Sequence, residues 1–206
     1  MPRDPGIAGQ DHPKVLSYVD VLLGKPVGAR VAVVGAGGIG FDVATFLVHA
    51  PGEGGPEVER WMREWGVTDP AKAPGGLVAP QPDAPVRQVT LLQRKATKPG
   101  ATLGKTTGWI HRAALKARNV EMLSGVRYDR IDGAGLTVSL GKKHEETRLL
   151  PVDTVVLCAG QEPLRDLAAP LAAAGVPVHL VGGSDVAAEL DAKRAIDQGT
   201  RLAARL

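Results

Sequence analysis

The sequence predicts an α/β fold in which short apolar strands alternate with helices around a central sheet. Three observations indicate this class. Residues 30–34, 88–93 and 152–158 are short runs of apolar and β-branched residues, the pattern of buried strands. A glycine-rich turn and then a helical apolar spacing follow the first run directly. Residues 125–131 and 136–140, with 147–150 as a further candidate strand, add a β-meander to this alternation.

Composition and charge limit the classes of function that this protein can have. Of the 206 residues, 44% are hydrophobic and 23% are charged, as in an ordinary globular domain. Lys and Arg total 25 against 22 Asp and Glu, too small an excess for the basic surface of a nucleic-acid-binding protein. Apolar runs fall short of the roughly 20 residues of a membrane span, and the N-terminal residues do not resemble a secretory signal. We expect a cytoplasmic protein with neither nucleic acid nor membrane as partner.

The single cysteine narrows the chemistry further. Cys158 alone cannot form an internal disulfide, nor an iron–sulfur or zinc site from this chain's own thiolates. Because it lies in an apolar strand, we expect a buried thiol that behaves as a small hydrophobe. We predict no catalytic residue and no metal ligand in this chain.

The remaining elements follow from apolar spacing and from proline and glycine. Residues 15–23 predict a short helix that buries one side, formed by Leu16, Val19 and Leu23. The helix over 38–49 is expected to bury four side chains: Ile39, Val43, Phe46 and Leu47. An insertion over 51–87, rich in proline and glycine, contains a small amphipathic helix at 56–65. Helices at 107–118 and 164–174, strands near 120 and at 178–181, and a C-terminal helix complete the prediction.

The glycine-rich turn after the first strand is the motif with the clearest chemistry. Gly35, Gly37 and Gly40 form the pattern G-x-G-x-x-G between a predicted strand and a predicted helix. The first glycine makes the tight turn, the second lets backbone approach a pyrophosphate, and the third lets the helix pack against the strand. The N-terminus of the helix favours an anion there. We predict a Rossmann-like, three-layer NAD(P)-binding domain, the alternative being a glycine turn that binds nothing.

The end of the next strand favours NADP(H) over NAD(H). NAD-preferring sites usually carry an acidic residue there, whereas this chain has Gln93, Arg94 and Lys95. The guanidinium group of Arg94 can donate two parallel hydrogen bonds to a 2′-phosphate, and Lys95 adds a second positive charge. This assignment requires strand 88–93 to lie beside strand 30–34, although the insertion stretches the usual spacing of about 20 residues. The alternative is a solvated basic pair.

Residues 99–106 end like a P-loop, but Pro99 stands where the motif needs glycine. Proline has a fixed φ and no N–H to give a phosphate, so we disfavour ATP or GTP hydrolysis. Lys105 is expected to assist anion binding beside Arg94 and Lys95, and Thr106 or Thr107 to cap the next helix. Surface or interface roles are expected for the side chains that begin this helix, Trp109, His111 and Arg112.

Five segments together resemble the bacterial 2,4-dienoyl-CoA reductase family: residues 11–18, 37–42, 92–95, 103–112 and 158–163. Members of this family join an old-yellow-enzyme-like barrel to a disulfide-reductase-like dinucleotide module. The resemblance implies electron flow from NADPH to FAD, through a [4Fe–4S] cluster to FMN, and on to a conjugated acyl-CoA. The barrel, the cluster motif and the first FAD fingerprint would lie upstream, which makes this chain a C-terminal fragment. The related enoate reductases and amine dehydrogenases are the alternative assignments.

The resemblance also assigns cofactor-binding residues. The pyrophosphate of NADP would be held by Gly35, Gly37, Gly38 and Gly40, and Asp42 would lie near the nicotinamide. Asp185 would bond the flavin ribityl chain. Together with Asp42 and Asp185, the residues predicted to bind cofactors are Gly35, Gly37, Gly38, Ile39, Gly40, Arg94, Lys95, Lys105, Gly160, Gln161 and Gly183. The alternatives are a first-turn helix position for Asp42 and a helix-start position for Asp185.

These assignments divide the chain into three parts. Residues 1–25 are expected to be a linker and remnant of an FAD-binding domain, 26–160 the NADP-binding domain, and 161–206 a returning FAD-domain segment. Half of an FAD site cannot position the flavin, so we expect little FAD binding and no complete reaction from the fragment. Exposed apolar remnant surface would favour self-association. A stand-alone nucleotide-binding module and an ATP-using P-loop protein are the rival classes.

Overall fold

The computed structural model describes residues 1–50, 57–188 and 192–206. The chain separates into two compact units. The larger is Gly6–Cys158, and the smaller joins Met1–Pro5 to Ala159–Leu206. Residues 6–25 therefore belong to the larger unit, while the assignment of both flanks to an FAD-binding domain stays a prediction.

The described residues contain eight strands and six helices. The strands are β1 (Val15–Ser17), β2 (Arg30–Val34), β3 (Gln88–Leu92), β4 (Glu121–Leu123), β5 (Arg127–Asp132), β6 (Gly135–Leu140), β7 (Glu146–Leu150) and β8 (Thr154–Leu157). The helices are α1 (Tyr18–Leu22), α2 (Gly38–Val48), α3 (Val58–Trp65), α4 (Gly108–Ala117), α5 (Ala168–Ala173) and α6 (Ala192–Ala203). Strands and helices thus alternate as the sequence predicts, and the α/β class is confirmed.

Five parallel strands form the main sheet, in the order β1-β8-β2-β3-β4. The central strand β2 is fully buried from Val31 to Val34, which explains its unbroken apolar sequence. The chain runs from β2 outward through β3 to β4 and later returns to β8 on the other side of β2. The strand order therefore reverses at β2, the place where open α/β sheets bind their ligands.

The predicted β-meander forms a separate three-stranded antiparallel sheet, β5-β6-β7, in the connection from β4 to β8. Leu136 and Val138 are fully buried on β6, the central strand of the three. The sequence of β6 alternates apolar and polar residues, but its burial does not, because Gly135 and Ser139 are buried as well and only Thr137 and Leu140 are partly exposed.

The predicted helix over residues 15–23 is wrong at both its start and its buried face. Residues 15–17 form β1, because pairing with β8 overrides the helical spacing of a five-residue helix. In α1 the buried residue is Val21, while Val19 and Leu23 are exposed. On α2, Phe46 is exposed as well, and the buried side chains are Phe41, Val43, Ala44, Leu47 and Val48.

Two predictions near the other helices also fail. Thr107 occupies the N-cap position of α4, but its side chain makes no cap hydrogen bond and its backbone is in the helical region. Residues 178–181 are not assigned to a strand, and α5 is shorter than predicted. Among the described residues of the smaller unit, the only β-bridge joins Pro2 to Gln161, so a strand at 178–181 has no sheet edge to extend.

The described part of the insertion, residues 57–87, reaches β3 at its amino edge, opposite the carboxyl ends of the strands. There the Val86 N–H donates to the carbonyl of Val48, the last residue of α2, at 3.1 Å. Arg118 follows α4 and pairs with Glu64 of α3 at 2.7 Å. Among the described residues no helix is long and apolar enough to cross a membrane.

Candidate functional site

The glycine turn connects the carboxyl end of β2 to α2. Gly35 has a φ of +114°, a conformation that favours glycine, and its N–H donates to the Leu92 carbonyl at 2.9 Å. This bond ties the turn to the end of the neighbouring strand β3. Gly37 is extended and takes the N-cap position, and the first intrahelical bond runs from the Phe41 N–H to the Gly37 carbonyl at 3.0 Å.

The three motif glycines differ in what surrounds them. A Cβ on Gly40 would lie 1.8 Å from the Gly35 oxygen, so only glycine lets α2 approach the turn this closely. Around Gly37 and Gly38 a Cβ would meet no heavy atom within 4 Å. The helix therefore begins beside open space, where its first N–H groups have no intrahelical partner. This arrangement can receive a pyrophosphate at the helix N-terminus.

The basic turn after β3 lies beside the glycine turn. Because β2 and β3 are parallel neighbours with Val34 opposite Leu92, Gly35 and Gln93 leave the sheet at the same level. The strand order that the NADP(H) assignment requires is thus present. Arg94 and Lys95 are exposed, and neither side chain has a hydrogen bond or ion pair with any residue that the structure describes.

Tyr128 of the β-meander supports the end of β3. Its hydroxyl donates to the Leu92 carbonyl at 3.2 Å, the same carbonyl that accepts from Gly35. Burial raises the pKa of Tyr128, while the positive charge of Arg94 opposes that shift. The hydroxyl therefore remains a donor at neutral pH. Sequence reasoning missed Tyr128, since only its place on β5 marks it as half-buried.

The segment resembling a P-loop uses its backbone in turns of its own. The N–H groups of Ala101, Leu103, Thr107 and Gly108 donate to carbonyls of Lys98, Gly100 and Gly104 at 2.7–3.2 Å. Arg112 is partly buried and donates to the Gly100 carbonyl at 3.0 Å, while its surface or interface role stays a prediction. Lys105 is exposed in the loop before α4, and Trp109 is exposed on that helix. These turns leave fewer N–H groups for a phosphate than a P-loop provides.

Cys158 continues β8 and is buried, as expected. Its N–H donates to the Val34 carbonyl at 2.8 Å, which extends the pairing of β8 with β2. Desolvation raises the pKa of the Cys158 thiol to about 12. The thiol is therefore protonated near neutral pH and is not an activated nucleophile.

Asp42 is exposed on α2 as the fifth residue of the helix. The first-turn position considered for it from the sequence is therefore wrong. Its assignment to the nicotinamide end of the cofactor stays a prediction.

The smaller unit contains four of the residues assigned to cofactor binding, namely Gly160, Gln161, Gly183 and Asp185. The Gly160 carbonyl accepts from the Arg3 N–H at 3.0 Å, and Gln161 bridges to Pro2. The carboxylate of Asp185 accepts from Gln198 at 2.9 Å. Residues 186–187 are not helical, so Asp185 is not the helix-start residue that the sequence suggested. Gly183 lies in the short 3-10 turn Gly182–Ser184, just before Asp185.

The smaller unit does not by itself fit FAD. The Gln198 side chain already accepts from the Gly182 N–H at 2.7 Å and donates to Asp185. No strand, glycine turn and helix follow one another in the described part of this unit, so phosphate-binding N–H groups of that type are missing from it.

A glycine turn at the carboxyl edge of a parallel sheet, next to the point where strand order reverses, defines a dinucleotide-binding α/β domain. Residues 1–194 match the model of the pyridine nucleotide-disulphide oxidoreductase family, and the chain belongs to this family. It is thus a domain of the flavin-dependent pyridine nucleotide oxidoreductase type. Binding of FAD and NAD(P) is a property of this family.

Several solved structures share the fold. A 2-naphthoyl-CoA reductase in complex with 2-naphthoyl-CoA has a TM-score of 0.70 at 18% identity over 100% of this chain. A 6-hydroxypseudooxynicotine amine oxidase from Pseudomonas geniculata N1 has a TM-score of 0.67 at 20% identity over 97%. Thioredoxin reductase from T. acidophilum has a TM-score of 0.59 at 15% identity over 99%. This chain spans 26%, 25% and 61% of those three chains respectively.

Proposed function

We propose that this chain binds NADP(H) at the glycine turn and presents the nicotinamide to a flavin. The observation that carries the proposal is the pairing of β2 with β3, which puts the open glycine turn and the basic turn side by side. Gly37 and Gly38 border the pyrophosphate, and Arg94 and Lys95 take the 2′-phosphate. When bound, NADPH supplies a hydride; the chain supplies binding and orientation.

For the parent enzyme we propose NADPH-dependent reduction of a 2,4-dienoyl-CoA. The family resemblance of five segments supports this substrate class, and the neighbour that binds 2-naphthoyl-CoA adds an acyl-CoA precedent. A flavin amine dehydrogenase relative is the second candidate, favoured by the amine oxidase neighbour. FMN and a [4Fe–4S] cluster would belong to upstream parts of the parent.

The smaller unit is where those upstream parts would pack. Neither α5 nor the described part of α6 has a buried residue. Leu164, Leu167 and Ile196 expose more than half of their surface. An FAD-binding domain would cover such surface, and in its absence the same surface favours self-association.

Calorimetric titration of the chain with NADPH, NADH and ATP tests the proposed binding. We expect NADPH to bind at least about tenfold more tightly than NADH, since one charge-assisted contact to the 2′-phosphate contributes roughly 1.5–3 kcal/mol. ATP should bind weakly and without a requirement for Mg²⁺. Equal affinity for the two nicotinamide nucleotides would contradict the 2′-phosphate assignment, and Mg²⁺-dependent ATP binding would favour the P-loop class.

A further inference from the structure

We propose that Gln93 is a positioning residue that closes the turn bearing Arg94 and Lys95 and thereby sets the preference for a 2′-phosphate. This inference rests on the proposed NADP(H) function. Gln93 is the first residue after β3 and is half-buried. The nitrogen of its carboxamide lies 2.9 Å from the Lys95 carbonyl oxygen, 2.7 Å from the Thr97 carbonyl oxygen and 3.2 Å from Thr97 Oγ1.

These contacts need a donor at position 93. A carboxamide NH₂ has two hydrogens, so one can serve Lys95 while the other is shared between the two oxygens of Thr97. An ionised Glu at the same position would have only acceptors and would direct them at the carbonyl oxygens of Lys95 and Thr97, which cannot donate. The amide thus closes the turn and also keeps negative charge away from the place where a 2′-phosphate would bind.

Backbone bonds hold the same turn from the other side. The Gly125 N–H donates to the Lys95 carbonyl at 3.0 Å, and the Val126 N–H donates to the Gln93 carbonyl at 3.0 Å. Within the described residues, Gln93 has the only side chain that bonds the backbone of residues 94–97. These two backbone hydrogen bonds do not depend on the side chain at position 93. A substitution there should therefore change the shape of the turn but leave it bonded to Gly125 and Val126.

Gln93→Met and Gln93→Glu test the role of the amide. Calorimetry would measure the dissociation constants of NADPH, NADH and 2′,5′-ADP, the last of which isolates the 2′-phosphate arm. For Gln93→Met we expect NADPH and 2′,5′-ADP to weaken about threefold to tenfold, as for lost neutral hydrogen bonds, with NADH within about twofold of wild type. Gln93→Glu should weaken both 2′-phosphate ligands further. The matched control is Gln88→Met, at the exposed amino end of the same strand.

A double-mutant cycle separates positioning from general structure. If Gln93 acts through the cations, Gln93→Met should have no further effect on NADPH once Arg94 and Lys95 are both alanine. A merely structural residue would weaken NADPH and NADH alike and would do so in either background; that result would overturn the inference. Gln93→Asn keeps an amide on a side chain that is one methylene shorter. Its ratio of NADH to NADPH dissociation constants should therefore exceed that of Gln93→Met, and a ratio no higher than that of Gln93→Met would also overturn the inference.

The outcomes for the two proposals are distinct. Should wild type not discriminate between NADPH and NADH, the proposed function itself is wrong. Should the Arg94 and Lys95 double variant lose the preference for NADPH while Gln93→Met keeps the wild-type ratio, only the role of Gln93 is wrong.

Discussion

Replacing Gly40 by alanine should abolish nicotinamide nucleotide binding and destabilise the larger unit by about 3 kcal/mol or more, the upper range for overpacking. The new Cβ would lie 1.8 Å from the Gly35 oxygen and 2.9 Å from the Gly35 carbonyl carbon, both of them backbone atoms. To relieve this clash α2 must move away from the turn. That movement displaces the N-terminus of the helix, where the pyrophosphate would bind. Urea unfolding followed by circular dichroism measures the loss of stability, and calorimetry measures the loss of NADPH binding.

Gly37→Ala is the matched control for this prediction, because it adds the same methyl group where the protein leaves room. No heavy atom lies within 4 Å of the added Cβ, and a φ of −84° suits alanine. We expect stability within about 1 kcal/mol of wild type, the usual range for exchanging glycine at an N-cap. The methyl group would still obstruct a pyrophosphate and weaken NADPH and NADH together. Equal stability of the two variants would contradict the close approach at Gly40.

Replacing both Arg94 and Lys95 by alanine should weaken NADPH about 100-fold and leave NADH within about twofold, as expected for two charge-assisted contacts at an exposed site. Both cations follow β3 at the level of Gly35, and neither has a partner among the described residues. They are therefore available to a phosphate without breaking an existing ion pair. Calorimetry at two salt concentrations measures the effect, and salt should reduce the wild-type preference because the contacts are exposed.

The control for charge is Lys142→Ala combined with Lys143→Ala. This pair is exposed between β6 and β7 in the same unit, and its loss changes the net charge by the same amount. We expect it to keep the wild-type ratio of NADH to NADPH dissociation constants. A comparable loss of NADPH affinity in this control would show that net charge, rather than contact with the 2′-phosphate, controls binding.

The parts of the site that the sequence predicts are those encoded locally. The strand 30–34, the glycine turn and the helix that begins at Gly38 are consecutive in the chain, and each has its own residue pattern. The basic turn could be found from the residues after β3, but its place beside the glycine turn depended on an assumed strand order. Hydrogen bonding of β2 to β3 across the long insertion supplies that order.

What the sequence could not predict depends on contacts between distant residues. Residues 15–17 form a strand because β8 lies beside them, although some 140 residues separate the two in the chain. The hydroxyl of Tyr128 finds its acceptor on β3, in a different sheet. The sequence shows only that Gln93 stands where NAD-preferring sites usually carry an acidic residue. The hydrogen bonds that its amide donates to Lys95 and Thr97 depend on the conformation of the turn. Propensity and spacing do not contain such information.

Backbone amide resonances of the 206-residue chain, recorded while NADPH is added, locate the bound nucleotide directly. We predict that the largest saturable shifts fall at residues 37–40, where the helix begins, and at residues 93–98, where the basic turn lies. NADH should reproduce the first group and not the second. Shifts confined to residues 104–108, before and at the start of α4, or to the smaller unit, would contradict nucleotide binding at the glycine turn.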